Sequence, residues 1–210
     1  MLALIPVAAI VFALLRLAEL LRKKGIMHGE ISRKFVHITV GSFVASWAFF
    51  MSTWLVAVMC TAFFIVVLVS RYFKFFPSIY NVSRQTWGDM LFPIGIVLCA
   101  LISKSDYIFA ASILHLSLGD GFAAVVGETH GRKNSYKVFG NKKSVAGSAA
   151  FLAISIAITI LFCTVQGVSP WSVQILAIPF LLTLLENVSW NGFDNIFVPL
   201  ACSIVLNSVL

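Results

Sequence analysis

The run Leu116–Phe151, LSLGDGFAAVVGETHGRKNSYKVFGNKKSVAGSAAF, decides how this chain is read. Gly119-Asp120-Gly121 sets a carboxylate between two glycines, Gly131-Arg132-Lys133 opens a basic loop, and Lys142-Lys143-Ser144 precedes a helix start of small residues. Apolar sequence long enough to cross a bilayer lies on both sides. An acid near a membrane surface can hold a divalent cation, and clustered cations with free backbone N–H groups can hold phosphates. The run therefore predicts a nucleotide or phosphate site built on the face of a membrane protein.

Working outward, composition agrees. Only 11% of the 210 residues are charged and 60% are hydrophobic, against roughly 25% charged in a soluble domain. At about 20 residues per span, the chain holds at most about eight spans and leaves no room for a soluble domain. The expected fold class is all-α: a polytopic integral membrane helix bundle of about 7–8 transmembrane helices, one domain over residues 1–210. Hydropathy places the spans near 2–21, 35–51, 53–70, 88–103, 106–126, 144–165, 171–186 and 195–210. The fourth is the shortest and is the one open to a re-entrant reading. Met1 to Leu21 lacks a basic n-region and has its charges after the apolar run, which favours an uncleaved first helix.

Eight spans put residues 22–34, 71–87, 127–143 and 187–194 on one side. Thirteen basic residues then fall there and Lys104 alone falls on the other, so the positive-inside rule makes the first side cytoplasmic. A miscount by one span would scatter these charges. The net charge of +7 is thus explained by short loops, and no nucleic-acid partner is expected. Cys60, Cys99, Cys163 and Cys202 all sit in apolar runs without a C-x-x-C pair, as small buried hydrophobes do. Arg71-Tyr72-Phe73-Lys74-Phe75-Phe76-Pro77 mixes aromatics and cations as an interfacial segment would. The sequons Asn81-Val82-Ser83 and Asn187-Val188-Ser189 fall on the expected cytoplasmic side, where they would not be glycosylated.

Polar residues in or near spans need reasons, because an unpaired charge there costs several kcal/mol. Asp120 lies well inside an apolar run, flanked by glycines that let ligands or another backbone approach; the bland alternative is a buried acid paired with a base for packing. Glu186 and Asp194-Asn195 bracket the last loop, and with Asp120 they offer oxygen ligands for a hard cation such as Mg²⁺. Capping of the last helix by Asp194 is compatible with that role. Arg33-Lys34 at a helix start are commonly topology markers, while His37 lies one turn deeper on the Arg33 face, as a phosphate ligand, a base or a structural group. Arg84 is placed to clamp phosphate, and Asp89 suits a helix start. His115 is expected to be packing or support. Lys143-Ser144 with Gly147-Ser148 reads as an anion site at a helix N-terminus, or as close helix packing. The G-x-x-x-x-G-K-[ST] spacing, the G-x-S-x-G elbow and the H-E-x-x-H motif are absent.

In this order, Arg33-Lys34-x-x-His37, Gly119-Asp120-Gly121-x-Ala123 with Gly127, Gly131-Arg132, Lys143-Ser144-x-x-Gly147-Ser148, and Glu186 with Asp194-Asn195-x-x-x-Pro199, the chain resembles the polyprenol kinase family. That family includes phytol, farnesol and dolichol kinases and the CTP-dependent diacylglycerol kinase, and is related more distantly to phosphatidate cytidylyltransferases. The resemblance covers about residues 33–200, leaving 1–32 as an extra helix and basic loop, and is nearest to phytol and farnesol kinases. Asp89 stands where the family pattern has Glu, and Glu128 where Arg is common.

The resemblance implies transfer of the γ-phosphoryl of CTP to the hydroxyl of a membrane-dissolved prenol, with Mg²⁺ held by Asp120, Glu186 and Asp194. It implies a nucleotide site formed by Arg33, Lys34, Arg84, Gly119, Gly121, Gly127, Gly131, Arg132, Ser144, Gly147, Ser148 and Asn195. Lys143, with Arg132 and Lys34, would offset charge on the transferred group, and either Asp120 or His37 would accept the hydroxyl proton. The competing readings are a kinase for diacylglycerol, dolichol or undecaprenol, a cytidylyltransferase that forms a CDP-lipid, and, from another class, a small transporter. Acids and cations gathered at one face, with no internal repeat, count against the transporter.

Overall fold

The computed structural model describes residues 4–80 and 86–209. Arg84 and the sequon at residues 81–83 lie outside the described residues. In chain order the helices are α1 (Leu4–Lys23), α2 (Gly29–Ala45), α3 (Thr53–Phe73), a single turn α4 (Pro77–Tyr80), α5 (Gly88–Ile102) and α6 (Asp106–Leu114). A π-helical turn, His115–Asp120, joins α6 to α7 (Gly121–His130). There follow strands β1 (Ser135–Val138) and β2 (Asn141–Ser144), then α8 (Val145–Gln166), α9 (Val173–Val188) and α10 (Asp194–Asn207).

The chain is a helical membrane protein, and the expected spans correspond to real helices. Among the described residues, α1, α3, the composite 106–130 and α8 are by length and composition long and apolar enough to cross a membrane. Helices α5, α9 and α10 are apolar but have only 15, 16 and 14 residues. At 1.5 Å per residue these reach about 21–24 Å, short of a hydrocarbon layer of about 30 Å. Helix α2 has 17 residues and carries Arg33, Lys34 and His37 on its buried side.

Residues 106–130 form the axis. In that helix 72% of the most apolar window is buried, against 22% to 33% in the other three long helices. Its small residues explain how neighbours come so close. A Cβ on Gly121 would sit 2.3 Å from the Ile38 side chain of α2, and one on Gly119 would sit 2.9 Å from the Phe151 ring of α8. Gly41 of α2 likewise packs against Ser117 in the π turn. Two apolar cores result. One gathers α1, α2, α3 and α5, including Leu15, Val40, Val44, Val67 and Ile96; the other gathers α8, α9 and α10 with Phe151, Ile178, Leu182 and Val198. The axial helix contributes to both, through Ile113 and Leu116 to the first and Ile108 and Ala123 to the second.

The two ends of the bundle differ. At one end, Ser78 N donates to Glu19 Oε2 at 3.3 Å, and Trp87 N donates to Asn191 O at 2.9 Å. At the other, the Ser103 and Ser203 hydroxyls are 2.9 Å apart and Lys104 N donates to Asn207 Oδ1 at 3.0 Å. The basic residues of the described loops, Lys104 apart, lie at the first end, where α2, α5, α8 and α10 begin.

The bundle is all-α as expected, and the loop after α7 carries a small hairpin. Residues 135–144 form an antiparallel hairpin in which Ser135 pairs with Ser144 and Val138 with Asn141. Its two-residue turn has φ of +46° at Phe139 and +81° at Gly140, the double positive φ of a type I′ turn. Phe139 is held there by an edge contact with Trp190, the ring centroids 6.0 Å apart.

Candidate functional site

The π turn makes the site. A π turn carries one extra residue per turn and often marks a functional position. Here it presents Asp120 toward α2 and leaves the Leu116 carbonyl to accept from His37 Nε2 at 3.1 Å. The same nitrogen is 3.3 Å from Asp120 Oδ2. Both neighbours accept, so Nε2 carries the proton and points it at them. Lys34 Nζ donates to Asp120 Oδ2 in a buried ion pair, both side chains at most 4% exposed. The packing alternative for Asp120 and Lys34 is thus present in the geometry: Lys34 is the counter-ion of the acid.

Arg33, also buried, is held by Glu30 one turn earlier, with Nε 3.3 Å from Glu30 Oε2 and Nη2 on Oε1. Its guanidinium lies against Gly88 at the start of α5, where an added Cβ would meet Nη1 at 2.9 Å and Asn195 Nδ2 at 3.3 Å. Asn195 and Asp194 open α10. Asp194 Oδ1 accepts from the Asn195 backbone N and Nδ2, both at 3.2 Å, while Asn195 Oδ1 is buried without a hydrogen-bond partner. Asp194 lies within electrostatic reach of Asp120, Lys34, Lys143 and Arg33.

The hairpin brings the remaining cation. Lys143 Nζ donates to the Glu186 backbone carbonyl at 2.7 Å and to Glu186 Oε1. Burial works against the Lys143 ammonium, but the Glu186 carboxylate and its hydrogen bond, with the nearby charges of Asp194 and Asp120, together more than offset it, so its pKa lies above the ordinary lysine value. Tyr136 OH touches Ser148 Oγ at 2.8 Å and donates to Asn187 Oδ1, which also accepts from Ser148 Oγ at 2.8 Å. This ties the hairpin to α8 and α9.

The structure therefore brings together Arg33, Lys34, His37, Asp120, Lys143, Glu186, Asp194 and Asn195 at one end of the bundle. Other expected ligands are differently engaged. Ser144 caps α8, its Oγ accepting from Gly147 N at 3.0 Å. An added Cβ on Gly131 would meet that Oγ at 2.3 Å, and Gly127 and Gly147 pack around it too. These glycines, with Gly119 and Gly121, are met by the chain's own atoms, so close packing accounts for them without a phosphate. Arg132 is exposed on a 3-10 turn. Asp89 faces Arg71, Oδ2 to Nε 3.3 Å, and Arg71 lies 5.8 Å from the centroid of the Trp87 ring. His115 is a satisfied core group, with Nδ1 2.8 Å from the Ala111 carbonyl. The four cysteines are buried and unpaired.

Sequence reasoning missed Glu30, Tyr136 and Asn187. Asn187 was visible only as a sequon, and Glu30 only as an acid three residues before Arg33, the spacing of a helical ion pair.

A divalent cation is tested by the donors. Among the described residues no three His, Cys, Asp or Glu side chains converge into a ready-made cage, and Glu186 already faces Lys143. What is offered is oxygen: the carboxylates of Asp120 and Asp194 and the unpartnered Asn195 Oδ1. This suits Mg²⁺, which takes one or two carboxylates together with substrate phosphates rather than an all-protein cage.

A buried acid held by a lysine and a histidine, near a second lysine–glutamate pair at the end of an apolar bundle, defines a helical membrane protein with a buried polar cluster. The chain is 31% identical over 196 residues to the phytol kinase of Synechocystis sp., covering 90% of this chain and 83% of that protein. It belongs to the phytol kinase family, within the polyprenol kinases the motif order resembles. No family model matches the chain, and no solved structure matches it.

Proposed function

We propose that this protein is a membrane lipid-alcohol kinase that transfers the γ-phosphoryl group of CTP to the hydroxyl of a prenol such as phytol, farnesol or geranylgeraniol. The observation that carries the reading is Asp120, a buried carboxylate fixed by Lys34 and His37 on the axial helix. Similarity to a phytol kinase supports the substrate class. The reaction centre lies at the end with the basic loops, the cytoplasmic face by the positive-inside rule.

Phosphoryl transfer is mainly positioning and charge stabilisation. The prenol oxygen bonds to the γ-phosphorus as the bond from that phosphorus to the β–γ bridging oxygen breaks, and CDP leaves. Asp120 takes the hydroxyl proton. His37 is the weaker candidate because its Nε2 already donates to Leu116 O and faces Asp120, which makes it an orienting group. Arg33, Lys34 and Lys143 arrive already paired with Glu30, Asp120 and Glu186, so a triphosphate would bind by sharing or displacing those acids. That arrangement keeps the cations fixed without leaving them unpaired. Asp120, Asp194 and Asn195 would hold Mg²⁺, which would supply charge neutralisation for the phosphates when bound.

The test is incubation of the purified protein in detergent with γ-labelled CTP, Mg²⁺ and a panel of phytol, farnesol, geranylgeraniol, undecaprenol and diacylglycerol, beside Asp120→Asn. The expected result is label in a prenol, CDP released, and an inactive variant. Pyrophosphate release with phosphatidate present would replace the reading by a CDP-lipid synthase, and no nucleotide consumption under any condition would remove it.

A further inference from the structure

Between α1, α2, α3 and α5 lies a cavity of about 300 Å³, at the small end of the roughly 300–1,000 Å³ of ligand pockets. The residues that line it are apolar apart from the buried Cys60 and Trp47, whose buried Nε1 has no hydrogen-bond partner. Its inner wall is buried, with Leu15, Val40, Val44 and Phe92, while Phe12 and Val66 at its mouth are exposed on the outside of the bundle. The cavity thus opens sideways, where the hydrocarbon of a bilayer would stand.

Its position matters more than its apolarity. Arg33, His37, Val40 and Val44 are spaced four, three and four residues apart, which puts them on one face of α2. The first two belong to the polar centre and the last two line the cavity. Phe92 belongs to both, a wall of the cavity with its ring centroid 4.3 Å from that of His37. His37 in turn reaches Asp120. A chain of packed side chains, Phe92 on His37 and His37 on Asp120, therefore links the inner wall of the cavity to the carboxylate.

We propose that this cavity holds the isoprenoid chain of the substrate alcohol, entered from the bilayer between α1 and α3, so that its hydroxyl end reaches Asp120. The proposal rests on the lipid-alcohol kinase reading and adds where the chain lies. A single narrow chain ending in a small hydroxyl fits a cavity of this size lying one ring contact from a polar centre; a two-chain phospholipid with a bulky headgroup does not.

The experiment measures binding of tritiated phytol to the full chain in detergent micelles, for the wild type, Val44→Phe and Ala62→Phe, which narrow the inner wall and the mouth, and Ile160→Phe, which lies on the exposed face of α8. Phosphorylation of phytol and of the five-carbon prenol is measured in parallel. Both cavity variants should lose phytol binding about tenfold or more and raise its KM, while Ile160→Phe and turnover of the five-carbon alcohol stay at wild-type levels. Should Val44→Phe not fold, Ala62→Phe at the mouth gives the same reading. The proposal is overturned if the wild type binds no phytol, if the filled variants bind it normally, or if phosphatidylcholine at equal mole fraction displaces it. Phytol binding that is sensitive to filling but gives no phosphoryl transfer removes the kinase reading and leaves the cavity assignment. Phosphoryl transfer that is indifferent to filling does the reverse.

Discussion

The two halves of the bundle, on either side of the axial helix, supply different things to the same centre. The half built from α1, α2, α3 and α5 gives Arg33, Lys34 and His37 and contains an apolar cavity open to the side. The half built from α8, α9 and α10 gives Lys143, Glu186, Asp194 and Asn195, and it carries a hairpin locked by Tyr136, Ser148 and Asn187. Asp120 sits between them. The difference suggests a division of labour, with the chain of the alcohol on one side and much of the nucleotide contact on the other. The centre would be assembled only when both halves press on the π turn.

The sharpest way to break this comparison is at the shared residue. Asp120→Asn keeps the size and a hydrogen-bonding oxygen but removes the base, and activity should fall between about 10²-fold and 10⁴-fold with either substrate saturating. Turnover retained within tenfold would move the base elsewhere. Lys143→Met acts on one half only. The KM for CTP should rise by about tenfold to a hundredfold while the KM for the prenol stays put; equal changes in both would erase the division. The same variant tests the ion pair through pH. Lys143 has a raised folded-state pKa, so its stabilisation should be complete below the ordinary lysine value of about 10.4 and fade as pH rises through the folded value. A melting-temperature advantage of wild type over Lys143→Met that holds steady to about pH 10 and shrinks above it is expected.

Much of this was legible in the sequence because membrane helices announce themselves. Runs of apolar residues gave the element order, and the loop charges sorted the two ends. The site order from Arg33 to Asn195 was visible as motifs. The pairings were not, since Lys34 lies 86 residues from Asp120 and Lys143 lies 43 from Glu186. Local spacing carries no record of contacts that only the bundle creates. The hairpin was hidden for another reason: its turn is Phe139-Gly140, without the Asn-Gly or Asp-Gly that would flag a type I′ turn. The glycines left two readings open, and local sequence could not say what approaches them. Gly119 and Gly121 read as room for a ligand or another backbone and Gly147 as an anion site or close packing; in the fold Gly119, Gly121, Gly127, Gly131 and Gly147 lie against Phe151, Ile38 and Ser144.

Close packing gives the next, smaller test, of whether the halves must press together. A Cβ on Gly95 would lie 1.9 Å from the Asn195 carbonyl oxygen, so Gly95→Ala should force α5 from α10 and cost about 1–3 kcal/mol, the usual range for overpacking. Activity should fall with stability, because Asn195 moves with that carbonyl. If the melting temperature drops while kcat stays unchanged, the α5–α10 contact supports the fold without positioning the centre.

The smallest expected effect belongs to Tyr136→Phe. The hydroxyl lost contacts Ser148 Oγ and Asn187 Oδ1, but those two remain bonded to each other at 2.8 Å, so neither is left alone. The loss should be about 0.5–1.5 kcal/mol, one ordinary hydrogen bond, and confined to the hairpin. Amide exchange at Val138 and Lys143, which belong to the hydrogen-bonded pairs of the ladder, should quicken while that of α6 and α7 does not change. Because β2 also carries Lys143, the KM for CTP should rise slightly, by less than Lys143→Met produces, with the prenol KM unmoved. A change in the prenol KM instead would mean that the hairpin reaches the alcohol side, and the contrast between the two halves would then be one of architecture alone.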